Sequence, residues 1–287
     1  MNYLRHFGLS EAPFGITPDT TYFFACRAIQ EAFNTLVVAV SNGEGFIKIT
    51  GEVGTGKTLL CRKFLGTLDA SWLSAYVPNP SFEPRTLYFA LAEELGILVS
   101  PNLDQHQLLK AIMRALLDLA RSRKRLVLCI DESQAMSLET LEALRLLTNL
   151  ETEKRKLLQV VLFGQPELDR KLASPSIRQL LQRITFQHHM RGLEESEVGA
   201  YVAHRLAVAG FKGRSPLSAG ALRVLHRTSA GLPRLVNILM HKAMLLAYGE
   251  GRWTIERRDV RAAAVDTPAA VAPRKWWWRL SLGRLGN

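Results

Sequence analysis

The run Gly51-Glu52-Val53-Gly54-Thr55-Gly56-Lys57-Thr58 lies between an apolar stretch, "FIKIT", and a segment of helical character, "LLCRKFL". Its spacing is that of a phosphate loop, G-x-x-x-x-G-K-[ST]. Glycines at these positions let successive backbone N–H groups turn inward on one anion, and the following helix offers its positive end. Lys57 then reaches the terminal phosphates of a nucleotide such as ATP, and Thr58 supplies a hydroxyl to Mg²⁺. Such a loop needs a strand to deliver it and a helix to receive it, so this part of the chain is expected to be α/β.

The flanking sequence repeats that alternation. Residues Ile29, Phe33, Leu36, Val37 and Val40 recur at helical spacing ahead of Gly43, and "FIKIT" follows as a strand. "LSAYV" reads as strand, "PRTLYFALAEELG" as helix, and "LDQHQLLKAIMRALLDLARSRK" as a long amphipathic helix that starts in a capping box of Asp104 and Gln107. "RLVLCI" and "KLLQVVLF" are nearly unbroken apolar runs, as strands buried on both faces of a parallel sheet require. A last strand is expected in "RITFQHHM". These elements predict a three-layer α/β domain over residues 1–192. From 193 to 266 four helical patterns follow, separated by Gly, Pro and Ser, and predict a small all-helical domain. Residues 267–287 read as a tail.

A nucleotide site of this kind needs a carboxylate at the end of a second buried strand, and "RLVLCIDESQ" supplies Asp131 and Glu132. Asp131 is expected to hold Mg²⁺ through water, and Glu132 to act as general base on the attacking water. The competing reading is that the two acids cap the next helix. Gln165, after the strand "LLQVVLF", is placed either to orient that water or touch the γ-phosphate, or simply as a turn residue. Arg178 and Arg183 precede the last strand. Arg183 is a candidate arginine finger toward a neighbouring subunit, with a surface arginine as the alternative. Arg234, in "AGLPRLVNIL", opens a helix of the second domain, from which a cation could contact phosphate and couple hydrolysis to lid motion.

The net charge of +11 is concentrated in residues 191–287, which carry +9. That excess fits a nucleic acid, an anionic membrane surface or a solvated basic face. The tail places Trp276, Trp277 and Trp278 among Arg274, Lys275 and Arg279, a composition suited to a lipid headgroup region, a docking peptide or a disordered end. Cys26, Cys61 and Cys129 have no metal-ligand spacing and are expected as reduced thiols, at least one of them in the core. The start of the chain has no signal-peptide core, and no run approaches the ~20 apolar residues of a membrane span, so a cytoplasmic protein is expected.

The motifs "FGLSEAPFGITPD", "GEVGTGKT", "IDESQ", "GQPEL", "LLQRI" and "GLPRLVN" together resemble the AAA+ ATPases of the general secretion pathway protein A (ExeA) type. Within that group the likeness is greatest to the branch (MshM) of mannose-sensitive haemagglutinin (MSHA) type IV pilus biogenesis. The resemblance covers about residues 1–266. It implies a P-loop NTPase (AAA+) fold with a helical lid, Mg²⁺-dependent ATP hydrolysis and homo-oligomerisation. It also implies pilus or secretion apparatus proteins at the bacterial inner membrane as partners. Carried onto this chain, it implies Thr58 and Asp131 at the metal, Glu132 as base, Gln165 as first sensor, Arg183 as finger and Arg234 as second sensor. Two departures stand out: Ser133 replaces a usual alanine, and the tail stands where the ExeA branch continues into a transmembrane segment and a peptidoglycan-binding region. A peripheral membrane contact through the tail is therefore expected. The alternative function is a DNA-handling AAA+ ATPase, against which weighs the lack of a helix-turn-helix module after the helical third.

Overall fold

The computed structural model describes residues 2–81, 83–100, 102–148, 151–152 and 155–271. Trp276–Trp278 and the rest of the chain after 271 lie outside them. The chain opens with a short helix, α1 (Asn2–His6), and then alternates helix and strand: α2 (Arg27–Ser41), β1 (Phe46–Gly51), α3 (Lys57–Leu65), β2 (Trp72–Val77), α4 (Pro84–Glu94), α5 (Gln105–Arg121) and β3 (Arg125–Ile130). Next come α6 (Leu138–Leu147), a two-residue hairpin of β4 (Glu151–Thr152) with β5 (Arg155–Lys156), β6 (Leu158–Gly164), α7 (Pro166–Leu172), α8 (Arg178–Leu181) and β7 (Ile184–Met190). Four helices complete the described chain: α9 (Glu195–Val208), α10 (Ala219–Ser229), α11 (Pro233–Gly249) and α12 (Arg257–Val265).

Five strands form one sheet in the order β2-β3-β6-β1-β7, and every pairing is parallel. The three central strands are β3, β6 and β1. All residues of β1 and β6 are buried, as are all but the first of β3, which is why their sequences are nearly continuous apolar runs. The edge strand β7 alternates partly buried with exposed residues. One core lies on the face covered by α4, α5 and α6, with Leu91, Ile112 and Leu144 against Leu128 and Leu162. The other lies under α2 and α3, with Leu36 and Phe64 against Ile49, Cys129 and Phe163. Helix α5 starts in the capping box expected, Asp104 accepting from the Gln107 N–H and Gln107 from the Asp104 N–H. All three cysteines are buried, and none is in a disulfide.

The chain divides into two compact units, one spanning Thr17–Gly192 and the other combining the chain through Ile16 with that from Leu193 on. The first sixteen residues, expected in the α/β domain, therefore belong to the helical unit. The physical reason is a polar clasp: the buried Arg205 donates to the carbonyls of Pro13 and Gly15, and Asn237 donates to Gly15 as well. Ser10 adds a hydroxyl hydrogen bond to the Ala209 carbonyl at 2.8 Å. Among the described residues no helix is long and apolar enough to cross a membrane.

Candidate nucleotide site

Because the sheet is parallel and β6 lies between β3 and β1, three loops leave its carboxyl edge side by side. They carry Gly51–Thr58, Asp131 with Glu132, and Gln165.

The first loop turns on two glycines in the left-handed region, Gly54 at φ 83° and Gly56 at φ 97°, a conformation that side chains with a Cβ rarely adopt. Gly51 is required for a different reason, since a Cβ there would lie 2.7 Å from the Met190 carbonyl oxygen of β7. The buried Thr55 closes the turn by donating its hydroxyl to the Glu52 carbonyl at 2.9 Å, leaving Val53 outward. Lys57 opens α3 and is itself buried, and its ammonium donates to the carbonyls of Gly51 at 2.7 Å and Glu52 at 3.0 Å. Burial pushes its pKa down, and the nearby Glu132 and Asp131 carboxylates act in the opposite sense.

Thr58 follows, and its hydroxyl donates to Asp131 Oδ2 at 2.6 Å. Asp131, only 2% exposed, also accepts the Glu132 backbone N–H at 2.9 Å. Burial raises its pKa, while these two hydrogen bonds favour the carboxylate. A hydroxyl and a carboxylate in contact are hard oxygen donors, the set that Mg²⁺ prefers.

Glu132 has φ 50° and ψ 36°, left-handed for a residue with a full side chain. Such a backbone costs about 1–3 kcal/mol and persists where its surroundings hold it. Here the hold is specific: Glu132 Oε2 accepts from Gln165 Nε2 at 3.0 Å and also from Gln134 Nε2. Gln134 in turn accepts the Gln165 backbone N–H through Oε1 at 3.0 Å. Its own carbonyl takes a hydrogen bond from Lys171 Nζ, which also donates to Met136 at 2.7 Å. Gln165 is the residue before α7, and the buried Lys48 of β1 anchors that helix through Asp169.

The structure thus brings Gly51–Thr58, Asp131, Glu132 and Gln165 to one place. Arg183, in the same unit, lies elsewhere. Arg183 precedes β7, whose first residue Ile184 pairs with Phe46, while Gly51 pairs with Met190 at the far end. Arg183 therefore lies one strand length, ~20 Å, from the loop. Its guanidinium faces the end of α6, donating to Thr148 Oγ1 at 3.3 Å and the Arg145 carbonyl at 3.5 Å. Arg178 is exposed at the start of α8, and Arg234 is exposed in the first turn of α11 in the helical unit. Sequence reasoning missed Gln134, Lys171 and Lys48. Gln134 had a signal, since an amide three residues beyond Asp131 shares its loop, whereas Lys171 and Lys48 carry no pattern that marks them.

Comparison with known proteins agrees with this geometry. Residues 40–172 match the family model described as an AAA domain. Over 274 residues, 96% of its length, the chain is 41% identical to the general secretion pathway protein A of Aeromonas hydrophila, and it spans half the length of that relative. Solved structures of similar fold include Cdc6p from Pyrobaculum aerophilum, with a TM-score of 0.69 at 18% identity over 90% of this chain and 71% of that one. They also include the Aeropyrum pernix ORC1 protein, solved in complex with DNA, with a TM-score of 0.62 at 19% identity over 89% of this chain and 69% of that one. These last two likenesses concern the fold alone, that of a P-loop NTPase of the AAA type with a helical portion.

Proposed function

We propose that this chain is an ATPase that hydrolyses ATP to ADP and phosphate at the edge of the β3-β6-β1 strands. The observation that carries the proposal is Glu132, held in a strained backbone conformation by Gln165 and Gln134 beside the Thr58–Asp131 pair. A carboxylate oriented in that way suits a general base better than a helix cap, and its side chain caps no helix.

The loop N–H groups and Lys57 bind the phosphate chain, Lys57 exchanging its bonds to Gly51 and Glu52 for the terminal phosphates. A water attacks the γ-phosphorus, giving its proton to Glu132 as the new P–O bond forms and the bond to the bridging oxygen of ADP breaks. Gln165, which shares Glu132 Oε2, positions that water. Mg²⁺, held by Thr58 and through water by Asp131, would neutralise charge on the phosphates.

The use of the energy is the finer part of the proposal. The 41% identity to a general secretion pathway protein A supports work in a secretion pathway, and the reading extends this, on the motif resemblance alone, to a secretion or type IV pilus apparatus at the cytoplasmic face of the inner membrane, in the manner of the MSHA (MshM) branch. Arg183, remote from its own site, then serves a neighbouring subunit of a homo-oligomer, and Arg234 reports hydrolysis through the helical unit. ATP hydrolysis measured with and without duplex DNA across a salt series tests this. A rate indifferent to DNA is expected, whereas stimulation that decays steeply with salt would transfer the chain to DNA handling.

A further inference from the structure

A lysine stands in the middle of the strand that delivers the phosphate loop. β1 is buried at every position, and Lys48 is its one charged residue, set among Phe46, Ile47, Ile49 and Thr50. Side chains alternate across a strand, so Lys48 shares with Phe46 the face on which Leu168 and Leu172 of α7 pack. In the sheet register it lies beside Leu162 of β6. Its ammonium reaches Asp169 of α7, a side chain that is 41% exposed. The pair therefore joins a fully buried strand position to a partner in contact with solvent.

Packing alone does not call for this charge. An apolar residue at position 48 would continue the run that β1 otherwise presents, and exchanging a buried ion pair for apolar side chains of similar volume is often neutral or stabilising. What the pair adds is direction, since a charge-assisted hydrogen bond fixes donor against acceptor, whereas apolar contact is non-directional. Its two ends stand on the two halves of the site. Lys48 is three residues before Gly51, where the phosphate loop begins. Asp169 is about one helical turn past Gln165, the N-cap of α7. Other contacts hold α7 elsewhere: a Cβ at Gly164 would be 2.8 Å from Leu168 Cδ2, and Lys171 donates to the Gln134 and Met136 carbonyls. Those contacts tie the helix to β6 and to the loop after β3, and Lys48 ties it to β1.

From this we infer that Lys48 and Asp169 are positioning residues, which fix Gln165 relative to the phosphate loop. Hydrolysis needs the γ-phosphate, held by the loop that β1 delivers, in line with the water oriented by Gln165 at the head of α7. Gln165 Nε2 stands 3.0 Å from Glu132 Oε2, and a shift of ~1 Å would take that contact out of hydrogen-bond range. Lys48 and Asp169 act through Gln165 and not on the nucleotide. The inference rests on the proposed ATPase function and deepens its account of how the water is placed.

The test is steady-state ATP hydrolysis and thermal melting of the full chain as wild type, K48M, K48M/D169L, Q165A and K48M/Q165A. K48M is expected to lower kcat about tenfold and to leave KM for ATP within about twofold, because it displaces the water and not the phosphates. K48M/D169L replaces both charges by apolar side chains, so it should melt close to wild type and still turn over slowly. In the Q165A background K48M should change kcat by less than about twofold, since its route to the reaction is already removed. A K48M/D169L variant with wild-type kcat, or a K48M effect equally large with and without Gln165, would overturn the inference while leaving the ATPase reading in place. Wild type that binds ATP, seen as a rise in melting temperature, without hydrolysing it would overturn the proposed function itself and the inference with it.

Discussion

Among individual side chains, Gln134 has the most to do for its size. It donates to the candidate base, accepts from the backbone N–H of Gln165, and is itself fastened by Lys171. Removing it leaves Glu132 with one of its two amide donors and frees a left-handed backbone that needs holding. Gln134→Ala is therefore expected to lower kcat by about tenfold or more, with little change in KM, since it touches the reacting carboxylate's orientation and not the phosphates. A purely structural role would instead lower the melting temperature and leave kcat of the folded fraction intact. Lys57→Ala belongs at the same scale and has a different signature. It should abolish nucleotide binding itself, seen as the loss of an ATP-dependent rise in melting temperature.

Among the elements, a close backbone approach holds the phosphate loop and a buried ion pair holds the start of α12. Gly51 ends β1 against the backbone of β7, and Gly51→Ala would drive a methyl group onto the Met190 carbonyl. The substitution should cost about 1–3 kcal/mol of stability and weaken ATP binding, because the strand end that delivers the loop must shift. Denaturant unfolding and nucleotide titration check the two effects separately. In the helical unit, Asp259 is 3% exposed and takes two hydrogen bonds from Arg252 and one from the Glu256 N–H. Burial alone would raise its pKa, but the Arg252 guanidinium and that N–H outweigh burial and hold the carboxyl below its ordinary value. A depressed folded pKa contributes stability that is full above the unfolded value of ~3.9 and is lost as pH falls through the folded one. Asp259→Ala should thus destabilise by about 3 kcal/mol at pH 7, with the gap to wild type narrowing as the pH falls below that unfolded value. A gap independent of pH would mean that packing, not the ion pair, is what Asp259 contributes.

Over the whole molecule, the sequence could be read furthest where periodicity is strong. The buried strands showed as apolar runs, α5 as an amphipathic stripe with its capping box, and the loop and acids of the site as a spaced pattern. What escaped has physical reasons. The segment through Ile16 joins the helical unit by backbone carbonyls meeting Arg205 and Asn237, and main-chain acceptors leave no trace in residue type. The Gln134–Lys171 hold is likewise made across elements, partly to carbonyls. The site residues that proved adjacent sit on neighbouring strand ends, whereas the roles proposed for Arg183 and Arg234 call on a neighbouring subunit and on the helical unit.

The central claim is that Glu132 takes the proton from the attacking water, and Glu132→Gln tests it most directly, with ATP binding and turnover measured on the same preparation. Full retention of ATP binding with hydrolysis slowed by ~10² or more is the predicted result. Turnover within a few-fold of wild type would contradict the claim and return Glu132 to a structural role at the end of its strand.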